Sequence, residues 1–85
     1  MQCAVYDTYV KKKEGGLMHF DVIVPRATHP EAVLTFGRQY LASKGQAGQE
    51  LTTEECSFCH IEQATPEVEA AIDKEGFFIL EMQGC

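Results

Sequence analysis

The run Leu17-Met18-His19-Phe20-Asp21-Val22-Ile23-Val24 predicts a β-strand, because apolar residues recur at every second position. The residues of its apolar face form a predicted core surface: Met18, Phe20, Val22 and Val24. The other face carries His19 and Asp21 beside Ile23, so two polar side chains need an explanation there.

The segment before this strand has the same character. Gln2 to Val10 is rich in β-branched and aromatic residues, and Gly15-Gly16 provides a turn between the two runs. The two segments therefore predict a β-hairpin. The basic run Lys11-Lys12-Lys13 lies at the end of this hairpin and is interpreted as a solvated loop.

A first helix is predicted from about His29 to Lys44. Thr28, followed three residues later by Glu31, has the pattern of a capping box, and Gly45 suits the left-handed position just past a helix end. The predicted apolar stripe consists of Val33, Leu34, Gly37, Tyr40 and Leu41. Because glycine costs a helix about 1 kcal/mol relative to alanine, we expect Gly37 to allow close approach of the helix backbone to the sheet.

The second half of the chain predicts four further elements. They are a helical turn at Thr52 to Glu55, a strand from Phe58 to Gln63, a helix opening at Thr65-Pro66 and stopping at Gly76, and a strand from Phe77 to Met82. The last run is almost entirely apolar and lies between two glycines. It is therefore predicted to be buried on both faces, at the centre of the sheet.

The order β-β-α-β-α-β predicts an α+β fold of two layers, with a four-stranded mixed sheet and two main helices packed on it. The 85 residues are 45% hydrophobic and 24% charged, as expected of a single domain spanning 1–85. A chain of this size builds only one modest core, so a homodimer is an expected source of added stability.

The net charge and the lengths of the apolar runs restrict the binding partners and the location of the protein. Seven Lys and Arg residues stand against thirteen Asp and Glu residues, a formal charge of -6, so no nucleic-acid partner is expected. No apolar run approaches the roughly 20 residues of a membrane span, and no signal peptide is recognisable. The predicted location is cytoplasmic, with reduced thiols at Cys3, Cys56, Cys59 and Cys85.

The segment Cys56-Ser57-Phe58-Cys59-His60 has a spacing shared by c-type haem attachment, dithiol redox sites and half of a zinc site. Haem is disfavoured by the missing export signal, and redox catalysis by the many nearby acidic residues, which raise thiol pKa values. A zinc site at Cys56, Cys59 and His60 is the alternative. The favoured interpretation is that these cysteines pack in the core and that no cofactor binds.

Two histidine–carboxylate pairs are also predicted, His19 with Asp21 and His60 with Glu62, because each pair shares a strand face. If the two strands were neighbours, the four side chains would form one polar cluster that is suited to metal binding or acid–base chemistry.

Four segments resemble a small bacterial family defined only as a domain of unknown function, DUF2024. They are Val5 to Val10, Met18 to Asp21, Cys59 to Pro66, and Gly84-Cys85. The resemblance covers essentially the whole chain and implies a compact α/β domain, without an activity, cofactor or partner. The predicted function is a module that binds a protein or itself and is not an enzyme; the alternative is a zinc- or thiol-dependent site at Cys56, Cys59 and His60.

Overall fold

The structure, a computed structural model, describes residues 1–85. Six elements follow one another in the predicted order. They are β1 (Gln2–Lys11), β2 (Leu17–Pro25), α1 (Pro30–Ser43), β3 (Cys56–Gln63), α2 (Pro66–Glu75) and β4 (Phe78–Gln83). Neither α1 nor α2 has the length and hydrophobicity of a membrane-spanning helix.

Strands β1 and β2 form the predicted hairpin, in which Asp7 lies opposite Asp21 and Tyr9 lies opposite His19. Strand β3 pairs with the free side of β1, and β4 pairs with the free side of β2, so the order in the sheet is β3-β1-β2-β4. All three pairings are antiparallel. The predicted mixed sheet is therefore wrong, because neither helix connects two strands that are neighbours in the sheet.

The predicted central position of the last strand is also wrong, since β4 lies at an edge. Its apolar run has a different cause. Phe77 and Ile79 pack against the core beside α1, while Phe78 packs against the core beside α2. Both faces of an edge strand are thus covered at its beginning, whereas Leu80 and Met82 further along are exposed.

The two helices cover opposite faces of the sheet, so the domain has three layers and not the predicted two. Val33 and Leu41 of α1 pack on the face that carries Phe20 and Val22. Val68 and Ile72 of α2 pack on the opposite face, in a smaller core completed by Cys3, Val5 and Ile23. Because α2 contacts only one end of its face, the other end stays open.

The predicted helix ends agree with the structure, with one exception. The N-cap of α1 is His29, whose Nδ1 accepts a hydrogen bond from the Glu31 backbone N–H, and Thr28 is not the cap. Helix α2 opens at Thr65-Pro66 and ends at Gly76 as predicted; the Thr65 side chain caps it, and Gly76 ends it in the left-handed conformation.

Gly37 is tightly packed, but against Leu51 of the loop before β3 and not against the sheet as predicted. A side chain at this position would meet Leu51 at 2.6 Å and Val22 of β2 at 4.0 Å. The turn before β3 forms as expected, since the Cys56 N–H donates to the Thr52 carbonyl.

Candidate functional site

The open end of the α2 face carries polar side chains from the central hairpin. Alternation along β1 places Asp7 and Tyr9 on the same face as Val5, and alternation along β2 places His19 and Asp21 on the same face as Ile23. Here α2 leaves the sheet uncovered, and a polar group can lie on the face of a central strand without being sealed into the core.

Asp7, His19 and Asp21 form a compact group, called here the Asp7–His19–Asp21 cluster. His19 Nε2 lies 2.7 Å from Asp7 Oδ1, and one potential ligand atom from each of the three side chains lies within 4.8 Å of the others. Asp21 is 7% exposed, whereas the side chains of His19 and Asp7 are 23% and 35% exposed. The cluster is therefore a shallow site with a buried floor.

Burial raises the pKa of Asp21 from 3.8 to about 6, and a hydrogen bond and charge repulsion from Asp7 act in the same direction. The nearby imidazoles of His19 and His60 oppose this rise. A hydrogen bond between the two carboxyl groups needs a proton on one of them, and the raised pKa of Asp21 makes it the protonated partner. Once Asp21 is ionised, two acceptors face each other and no donor replaces the lost proton.

Tyr9 completes the site by holding the imidazole. Its ring stacks on the His19 ring, with centroids 4.1 Å apart and planes inclined by 11°. One face of the imidazole is thus covered and its Nε2 is directed at Asp7. This fixed orientation allows His19 to act as a ligand or as a proton carrier.

The predicted four-residue cluster of His19, Asp21, His60 and Glu62 is distributed over two places. His60 Nε2 lies 2.7 Å from Glu62 Oε1 on β3, where both side chains are about half exposed. Strand β1 separates β3 from β2, so His19 finds its carboxylate on β1 instead.

The sequence pattern alone does not single out Asp7. The hairpin register supplies the signal for it, because the pairing that the turn imposes puts Asp7 opposite Asp21.

The residues of the predicted zinc site do not lie together. Cys56 is buried in the α1 core, where its Sγ accepts a hydrogen bond from the Thr8 hydroxyl at 3.3 Å. His60 pairs with Val5 and so lies on the opposite face. Cys59 is exposed at the bulge between them, so the predicted packing in the core is confirmed for Cys56 and wrong for Cys59. The only set of three His, Cys, Asp or Glu residues close enough to share a metal ion is the Asp7–His19–Asp21 cluster.

All four thiols are free. Burial raises the pKa values of Cys3 and Cys56 and outweighs the opposing effects of the N-terminal charge on Cys3 and of the Thr8 hydrogen bond on Cys56, so both are poor nucleophiles near neutral pH.

A second surface feature lies on the α1 side of β3, beyond the part of the sheet that α1 covers. Tyr6 of β1 contacts Phe58 edge-to-face, with ring centroids 5.8 Å apart. Phe58 is 54% exposed and Ile61 is 36% exposed. Because Phe58 pairs with Tyr6 and Ile61 pairs with Ala4, all three side chains lie on one face. We call this set the β3 surface (Tyr6, Phe58, Ile61).

These features define a small antiparallel α/β/α domain with an open polar face on one side of the sheet and an exposed apolar surface on the other. The chain belongs to the DUF2024 family, described as a domain of unknown function, whose family model matches residues 1–82.

Among solved structures, the chain is similar to the NMR structure of protein NE1680 from Nitrosomonas europaea. The two are 49% identical, with a TM-score of 0.85, and the match covers 100% of this chain and 99% of the other. A comparison with curated protein sequences finds no match.

Proposed function

We propose that this domain is a non-enzymatic interaction module whose partner is a second copy of the same chain. The observation that carries the proposal is the exposed β3 surface. Phe58 and Ile61 keep much of their apolar area in water although both lie on a strand of the sheet. Apolar side chains that are grouped on one exposed face are typical of interaction sites.

Charge does not oppose a second copy at the β3 surface. The chain carries a formal charge of -6, so two copies repel each other wherever acidic surfaces meet. Strand β3 has one acidic residue, Glu62, which pairs with Cys3 and so lies on the α2 side of the sheet, away from the β3 surface. Two copies can therefore approach through the β3 surface with little repulsion.

The contact is expected to involve side chains on the sheet face and not an extended backbone ladder. Cys59 forms a bulge in β3, and bulges interrupt the regular edge that a further strand would need. A twofold axis beside β3 would instead place Phe58 of one copy against Ile61 of the second copy, a self-complementary arrangement. With so few apolar side chains, the dimer should be weak, with a Kd roughly between micromolar and millimolar.

Sedimentation equilibrium over a range of concentrations tests the proposal. The wild-type chain should show a reversible monomer–dimer equilibrium, and Phe58→Ser should shift it to monomer because the central aromatic contact is lost. Leu80→Ser is the matched control, since Leu80 is a similarly exposed apolar residue, 43% exposed, on the opposite edge strand.

A wild-type chain that stays monomeric at all concentrations would refute the proposal. Equal weakening of the dimer by both variants would place the contact elsewhere.

A further inference from the structure

We propose that the Asp7–His19–Asp21 cluster binds a divalent first-row transition-metal ion through two carboxylate oxygens and one imidazole nitrogen. The site is separate from the β3 surface, which lies on the other face of the sheet. The inference goes beyond the proposed self-association and does not depend on it.

The first argument is the donor set. Carboxylate oxygen and imidazole nitrogen together suit ions such as Mn²⁺, Fe²⁺, Co²⁺ and Zn²⁺. Bonds of about 2.1 Å put adjacent ligand atoms roughly 3 Å apart and opposite ones roughly 4 Å apart. The observed separations, 2.7 Å between His19 and Asp7 and up to 4.8 Å within the cluster, need only small side-chain movements to meet these values.

The second argument is the environment of the Asp21 side chain. This side chain is more than nine-tenths buried and has a carboxylate oxygen within 4.8 Å of the ligand atoms of Asp7 and His19, yet no hydrogen-bond donor contacts it. A buried carboxylate with neither a donor nor a cation beside it is costly. A divalent cation between Asp7 and Asp21 would offset the repulsion between the two carboxylates and would give Asp21 the partner it lacks.

The third argument is access and rigidity. Every fully buried side-chain oxygen or nitrogen atom has a hydrogen-bond partner. The Asp21 oxygens have no donor, so they are not fully buried and must reach the open side of the face. An ion can therefore enter from solvent. The three ligands come from one hairpin of paired strands, and Tyr9 holds the His19 ring. The ligands therefore lose little conformational freedom when an ion binds.

Mn²⁺ is the probe for the test, because it prefers oxygen and nitrogen to thiolate and so avoids the exposed cysteines. Substoichiometric Mn²⁺ should broaden the amide NMR signals of Asp7, Tyr9, His19 and Asp21 before all others. Isothermal titration should show one ion bound per chain.

Asp21→Asn should weaken this binding at least about a hundredfold, because it removes a direct ligand. Glu62→Gln is the matched control. It removes the carboxylate of the exposed His60 pair and should leave Mn²⁺ binding unchanged.

Folding and binding can be separated, because Asp21→Asn should unfold at a higher temperature than wild type in chelator while failing to bind Mn²⁺. Broadening that centres on the acidic loop at Glu50, Glu54 and Glu55 would overturn the proposal. So would unchanged Mn²⁺ binding by Asp21→Asn.

Repeating the titration with the monomeric Phe58→Ser variant keeps this test independent of self-association. That variant should bind Mn²⁺ as wild type does.

Discussion

Replacing Asp21 by Asn should stabilise the metal-free domain at neutral and alkaline pH. The pKa of Asp21 rises from 3.8 when unfolded to about 6 when folded. A carboxyl group with a raised pKa favours the folded state only while it is protonated. That contribution is complete below about pH 3.8 and is lost as the pH rises through about 6. Asn mimics the protonated acid at every pH and can donate a hydrogen bond to Asp7.

The magnitude follows from the size of the pKa change. At about 1.4 kcal/mol for each pKa unit, the full effect is about 3 kcal/mol. The partly exposed Asp7 and His19 side chains let water screen the charges, which reduces this to about 1–2 kcal/mol. In a domain of this size the gain corresponds to a rise in Tm of roughly 5–15 °C.

Urea unfolding of both proteins in chelator, at about pH 4 and about pH 8, measures the difference directly. The free energy of unfolding should differ little at the lower pH and should favour Asp21→Asn at the higher pH. Asp73→Asn, on the exposed side of α2, controls for the loss of one negative charge. A difference that does not change with pH, or a less stable Asp21→Asn protein at about pH 8, would refute the reasoning.

Three further predictions concern packing and can be checked by urea unfolding. Cys59→Ala should change the free energy of unfolding by less than about 0.5 kcal/mol, because Cys59 is exposed. Cys56→Ala should cost about 1–2 kcal/mol, because it opens a cavity beside Thr8. A larger cost at Cys59, or loss of structure in chelator, would favour a zinc site there. Gly37→Ala should destabilise the domain by about 1 kcal/mol despite the better helix propensity, since the new methyl group meets Leu51 at 2.6 Å, and a more stable variant would show that Leu51 moves freely. Ile79→Asp should cost about 2 kcal/mol and leave a folded protein, because Ile79 is only half-buried on an edge strand; complete unfolding would contradict this.

Local patterns were sufficient to predict the elements of this fold. The two-residue period of β2 and the glycine turn predicted the hairpin, and Thr65 with Gly76 bounded α2 correctly. These features depend on residues close in sequence, which is why the sequence reveals them.

The arrangement of the elements in space is harder to predict from the sequence. A run such as Phe77 to Leu80 is apolar at a sheet centre and also at an edge that two helices cover on opposite faces, so composition does not distinguish the two positions. The choice of strand neighbours is decided by long-range packing.

The candidate site shows the same limit. His19 and Asp21 stood out because they interrupt an apolar strand, but their partner Asp7 lies on the other strand of the hairpin. It becomes visible only when the strand register is applied. Conversely, the conspicuous Cys56-to-His60 spacing does not bring its side chains together, because the bulge at Cys59 turns His60 to the face opposite Cys56.

The most direct test of the proposed self-association is an NMR dilution series of the wild-type chain. If two copies meet through the β3 surface, dilution should shift the amide signals of Tyr6, Phe58 and Ile61, and these shifts should disappear in Phe58→Ser. Signals that do not change on dilution, or changes centred on Leu80 and Met82 of β4, would contradict the account.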